Sequence, residues 1–133
     1  MPGVPYRKTS IYDEGNLIAF MLDTKIMQLT NNKKSLRDVC VLLYERYGKK
    51  NIGYSEQNIL SLVNEVSENN LEEFFSYFVY GANDFENGLK IAFEYLGINF
   101  DKKPIQNVCE NNLGFKVVDA GHFYKITLVA PYS

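Results

Sequence analysis

Asn16-Leu17-Ile18-Ala19-Phe20-Met21-Leu22-Asp23-Thr24-Lys25-Ile26-Met27-Gln28-Leu29 is the stretch whose reading decides the fold. Leu17, Ile18, Met21, Leu22, Ile26 and Leu29 recur at intervals of three and four, so a helix turning 3.6 residues at a time brings them onto shared faces. They cover enough of the circumference that this helix, from near Tyr12 to about Leu29, is expected to be central and largely buried. Downstream, Ser35 is the expected N-cap of a second helix, its hydroxyl accepting from a free backbone amide. Leu36, Val39, Cys40, Leu43 and Tyr47 form that helix's stripe, with Gly48 ending it in a left-handed turn. Ser55 caps a third helix carrying Ile59, Leu62, Val63 and Val66. Asn70 with Glu73 reads as a capping box opening a fourth, whose stripe is Leu71, Phe74, Phe75 and Phe78 and which Gly81 stops. Asp84 caps a fifth, with Phe85, Leu89, Ala92, Phe93 and Leu96 before Gly97.

The periodicity changes after Phe100. Asp101-Lys102-Lys103-Pro104 reads as the start of a linker. Phe115-Lys116-Val117-Val118 and Phe123-Tyr124-Lys125-Ile126-Thr127-Leu128-Val129 are rich in β-branched and aromatic residues and flank the turn signal Asp119-Ala120-Gly121. Together they predict a β-hairpin. The fold class is therefore mainly α: a five-helix antiparallel bundle or array followed by a C-terminal β-hairpin. The expected division is 1–100 helical, 101–112 linker and 113–133 hairpin. A lone hairpin is marginal in water, so the last segment reads as a domain interrupted.

Composition narrows the function classes. Fourteen basic and sixteen acidic residues leave a net charge of −2 without blocks of like charge. That balance gives no footprint for nucleic acid and no polybasic membrane anchor. No apolar run is long enough to span a bilayer, and the N-terminus lacks the pattern of a signal peptide. Cys40 and Cys109 are far apart and form no C-x-x-C pair, so a zinc knuckle is excluded. Cys40, on the apolar stripe, is expected to be a buried free thiol.

Chemistry is sparse. His122 is the only histidine. The H-E-x-x-H helix of zincins needs two histidines on one face, which this chain cannot supply. A serine or cysteine triad would also have to use His122, which stands in the hairpin without a companion nucleophile nearby in sequence. Glu72 and Glu73, like Asp13 and Glu14, are neighbours in sequence and diverge on a helix, so they read as caps and solvated faces. The remaining candidate is Ser10-Ile11-Tyr12-Asp13-Glu14-Gly15 at the mouth of the longest apolar helix. There a tyrosine hydroxyl can point out of the first turn, and Gly15 leaves room for another backbone. Considered as a residue alone, Tyr12 is a packing tyrosine.

This segment resembles the Y-x-K-G helix of the gluzincin metallopeptidases, and specifically the glycyl-aminopeptidase-like family, number sixty-one in the metallopeptidase classification. Members carry S-Y-Y-x-K-G-A-L-V-A-L-L-L-D after the zinc site, then K-S-L-x-D-V-L-x-x-L-Y-E-R-Y-G, G-Y-T-E, and an F-F-x-x-Y-V-x-G run. This chain has Lys34-Ser35-Leu36-Arg37-Asp38-Val39, Leu43-Tyr44-Glu45-Arg46-Tyr47-Gly48, Gly53-Tyr54-Ser55-Glu56 and Phe74-Phe75-Ser76-Tyr77-Phe78-Val79-Tyr80-Gly81 in the same order. Its last helix ends in Glu94-Tyr95-Leu96-Gly97. It differs at Glu14, where lysine is common, and at Ile11, where a second tyrosine is common. Leu113-Gly114-Phe115 and Val129-Ala130-Pro131-Tyr132-Ser133 resemble the opening of the PDZ domain that members commonly carry next.

The resemblance implies a fragment of a zinc-dependent aminopeptidase: the C-terminal part of its catalytic domain running into an incomplete PDZ domain. Tyr12 would then stabilise the oxyanion in the intact parent. No cofactor is expected in this chain, and zinc is expected in the full-length parent. The expected partners are the upstream catalytic half of the same polypeptide, a peptide substrate in the parent, and a second copy through exposed edges. The implied setting is a bacterial cytoplasm or periplasm. The competing expectation is a non-catalytic helical interaction module that kept the same scaffold.

Overall fold

Asn31 and Asn32 end the first helix because both adopt left-handed backbone angles (φ 51° and 61°), which asparagine tolerates better than most residues. The N–H of Asn32 reaches back to the Met27 carbonyl at 2.7 Å, closing the last turn. In the computed structural model, which describes residues 11–101, 103 and 115–129, helix α1 runs Ile11–Leu29. Helix α2, Leu36–Arg46, starts at Ser35. Ser35 is the expected N-cap, joined in a capping box with Asp38, whose carboxylate accepts from the Ser35 N–H at 2.9 Å and from the Ser35 hydroxyl. A second carboxylate, Asp23 of α1, accepts from the Leu36 N–H at 2.7 Å. Two of the otherwise orphaned amides at this helix start are thereby satisfied.

Gly48 does not make the left-handed stop. It opens a short 3-10 turn, Gly48–Lys50, and the left-handed residue is Asn51 at φ 52°. Helix α3, Glu56–Ser67, begins with the expected cap at Ser55. The Asn58 N–H donates to the Ser55 hydroxyl at 3.3 Å, while the Asn58 side chain accepts from the Ser55 N–H at 2.9 Å. The fourth helix departs further from expectation. It is a single α turn, α4 (Glu72–Phe74), that widens into a π turn over Phe75–Val79, with the Tyr80 N–H bonded to the Phe75 carbonyl at 3.0 Å. Glu73 takes no part in a capping box. Asn70 instead accepts from the Glu72 N–H at 2.9 Å and Asn64 from the Leu71 N–H at 2.8 Å. The Asn83 amide donates to the Tyr77 carbonyl at 2.8 Å, at the end of the widened turn. Helix α5, Glu86–Tyr95, has its N-cap at Phe85, one residue after the expected Asp84, whose carboxylate accepts from the Glu86 N–H at 2.8 Å.

The described residues divide into a helical unit, Ile11–Phe100, and a unit that includes the hairpin. In the helical unit, α1 packs against α2, α3 and α5. One buried cluster joins Leu22 and Ile26 of α1 to Val39, Leu60, Leu62, Val63, Val66, Leu71 and Phe75. A second gathers Met21, Leu89 and Ala92 beneath Ile18, Phe20, Phe78, Phe85, Phe93 and Phe100. Phe74 borders both. Leu96, expected in the fifth stripe, is exposed. Its place is taken by Phe100, whose ring stacks on Phe93 at 5.5 Å.

Cys40 is exposed, against expectation. At about 100° per residue it lies a quarter-turn from Val39, the buried centre of the α2 stripe, so its side chain falls on the flank. The hairpin pairs β1 (Phe115–Asp119) antiparallel with β2 (Tyr124–Val129). Asp119 stands opposite Tyr124 and Val117 opposite Ile126, with the register shifting between Lys116 and Val117. At the turn, the Asp119 carboxylate accepts from the Gly121 N–H at 2.8 Å, and Gly121 has φ 88°. Most of the expected linker, the Leu113-Gly114 pair and the residues after Val129 lie outside the described residues. Among those described, no helix is long and apolar enough to cross a membrane.

Candidate functional site

Tyr12 occupies the first turn of α1 with 78% of its surface exposed, beside Ile11 at 75%. Asp13 and Glu14 share that turn, where negative charge opposes the positive end of the helix dipole. Among the described residues the Tyr12 hydroxyl has no hydrogen-bond partner. Nothing lies within 4 Å of where a Gly15 side chain would begin, so the space beside the first turn is open. Leu17, one turn on, is also exposed. The apolar residues of α1 begin to pack at Ile18 and are first fully buried at Met21. The first turn of α1 therefore presents an exposed phenol between Ile11 and the acidic pair Asp13 and Glu14.

His122 is exposed in the hairpin turn and Cys40 lies on α2. Among the described residues no three His, Cys, Asp or Glu side chains stand close enough to hold a metal ion. The perturbed ionisable groups are structural. The Ser35 backbone N–H, with help from Lys34, holds the Asp38 carboxyl below its usual value. Arg46 of α2 grips Glu65 of α3 with two parallel hydrogen bonds of 2.8 and 2.6 Å. Those bonds lower the Glu65 carboxyl and raise the Arg46 guanidinium. Both partners are exposed, which makes the pair a clasp between two helices and a poor catalytic group.

A cavity of about 210 Å³ lies between the second half of α1, the α4–π segment and α5. Met21, Phe74, Phe78, Ile91 and Ala92 give it apolar walls; Lys25, Gln28, Asn87 and Tyr95 stand at its edge. The Tyr95 hydroxyl donates to Asn32 at 2.6 Å. Thr24 is buried, with its hydroxyl turned back on the Phe20 and Met21 carbonyls at 3.0 Å. Sequence reasoning missed this cavity. Its signals were a lysine inside the most apolar helix and a glycine, Gly88, in the middle of α5.

No protein-family model, curated protein or solved structure matches this chain. Its function rests on its own residues.

Proposed function

We propose that this chain is the downstream helical part of the catalytic domain of a zinc-dependent aminopeptidase, and that its chemical contribution is the phenol of Tyr12. The observation that carries the reading is the position of that phenol: exposed in the first turn of α1 beside the exposed Ile11, with no hydrogen-bond partner among the described residues. A group so placed is available to face a second wall of a cleft. When water adds to a peptide carbonyl, negative charge collects on the carbonyl oxygen. A phenol O–H aimed there binds that oxygen more strongly in the transition state than in the substrate. In this reading zinc would be carried by the part of the parent upstream of this segment.

The test is the polypeptide translated from the complete reading frame. It should contain H-E-x-x-H ahead of this segment, bind one zinc per chain and release amino-terminal residues from peptides, with the 133-residue chain alone inactive. A complete frame without that motif, or peptide hydrolysis by the metal-free 133-residue chain, contradicts the proposal.

A second reading, a non-catalytic helical interaction module, is favoured by the two buried clusters, which give the helical unit a core of its own. It retains the exposed tip of α1 as a docking surface and removes the need for zinc. Pairing of copies through the hairpin belongs to either reading. Phe123, Tyr124 and Ile126 are exposed there, and among the described residues the sheet has two strands only. Light scattering at high concentration should give a dimer that Ile126→Lys returns to monomer; a native monomer contradicts pairing.

A further inference from the structure

We propose that the cavity beside α5 is a binding site for a small aromatic carboxylate, with the ring against Met21, Phe78 and Ile91 and the carboxylate on Lys25. Size comes first. An engineered apolar cavity of about 150 Å³ holds benzene, so about 210 Å³ takes a phenyl ring with a short chain. The walls suit a ring: the Phe74 and Phe78 rings stand 5.0 Å apart and tilted, and a thioether and a branched alkyl group complete the lining.

Charge selects the other end of the ligand. Lys25 is half-buried at the edge of the cavity, and among the described residues neither an ion pair nor a hydrogen bond holds its ammonium. Glu73 borders a neighbouring depression that Lys25 also lines, yet the two form no ion pair. The Thr24 and Tyr95 hydroxyls already donate within the protein, to carbonyls of α1 and to Asn32. The available cation is therefore Lys25, and a carboxylate at the end of a short apolar body pairs with it.

The surrounding backbone is shaped for the purpose. The helix widens to a π turn at Phe75–Val79, directly after Phe74 and including Phe78 of the wall, and such widened turns are frequent at functional sites. Gly88 lets α5 approach closely: a Cβ there would stand 2.6 Å from the Met21 sulfur and 2.8 Å from Phe78 Cζ. The cavity is separate from Tyr12, since Met21 follows it by nine residues, about 13 Å along the helix. The inference stands independently of the peptidase reading.

The probes are 3-phenylpropionate and its uncharged amide, titrated into the isotopically labelled 133-residue chain and followed by NMR. The methyl signals of Met21 and Ile91 should move with both ligands, and the acid should bind about tenfold more tightly than the amide. In Lys25→Met, which keeps the apolar stem, that preference should vanish while the amide's affinity stays unchanged. Gly88→Ala, which presses Met21 and Phe78 into the cavity, should weaken both ligands. Equal binding of acid and amide by the native chain overturns the proposal. A preference that survives Lys25→Met does the same, as do unmoved Met21 and Ile91 signals at about ten millimolar ligand.

Discussion

Ile11, Tyr12 and Leu17 in the first half of α1 are exposed, whereas Met21, Leu22 and Ile26 in the second half are buried, although both halves are rich in apolar residues. The difference lies in what packs against them. The two buried clusters engage α1 from Ile18 onward and leave its tip in water. Apolar pattern alone marks a face that prefers burial; the packing of the neighbours decides how much of that face is served. The unserved tip is where the proposed chemistry sits.

The sharpest way to break this contrast is to truncate one residue from each half. Ile26 is fully buried, so Ile26→Ala should lower the unfolding free energy by about 2–5 kcal/mol, the cost of lost burial plus a cavity. Leu17→Ala should cost no more than about 0.5–1 kcal/mol. Urea denaturation of both variants measures the pair, and similar losses would refute the contrast. A smaller effect is expected at the junction of α1 with α2. Asp23→Ala removes the carboxylate that accepts from Leu36 N–H and should cost about 0.5–2 kcal/mol, with Asp23→Asn recovering part of it.

The smallest effect concerns acid. Asp38 and Glu65 both have carboxyl pKa values lowered by folding. Each therefore contributes stability that is present above the ordinary carboxylate range and is lost as pH falls through its lowered folded value. Asp38→Asn and Glu65→Gln should each lower stability slightly at neutral pH and so flatten the acid limb, with native and variant chains converging below about pH 4. An acid limb as steep as in the native chain would show that these contacts do not persist in solution.

Much of the fold was legible in the sequence because it depends on local chemistry. The three-and-four spacing located the five helices of the described residues, and Ser55 and Asp84 fell where their side chains could reach free amides. Asp119-Ala120-Gly121 marked the hairpin turn. What was not legible depends on geometry beyond one turn. Cys40 looked like a stripe residue, yet a quarter-turn from Val39 was enough to expose it. The end of α2 passed from Gly48 to Asn51 because a 3-10 turn intervened. The π turn at Phe75–Val79 leaves no mark in an apolar pattern that a regular helix also satisfies. At the candidate site, Tyr12 was found as a residue at a helix mouth, but its exposure required knowing that the helical unit covers α1 only from Ile18.

The central claim is that the Tyr12 phenol serves an oxyanion across a cleft. The most direct measurement is the peptidase rate of Tyr12→Phe in the polypeptide from the complete reading frame. The account predicts a kcat lower by about 10²–10³ with KM changed little, the signature of a hydrogen bond made only in the transition state. A Tyr12→Phe enzyme with the native kcat would contradict it.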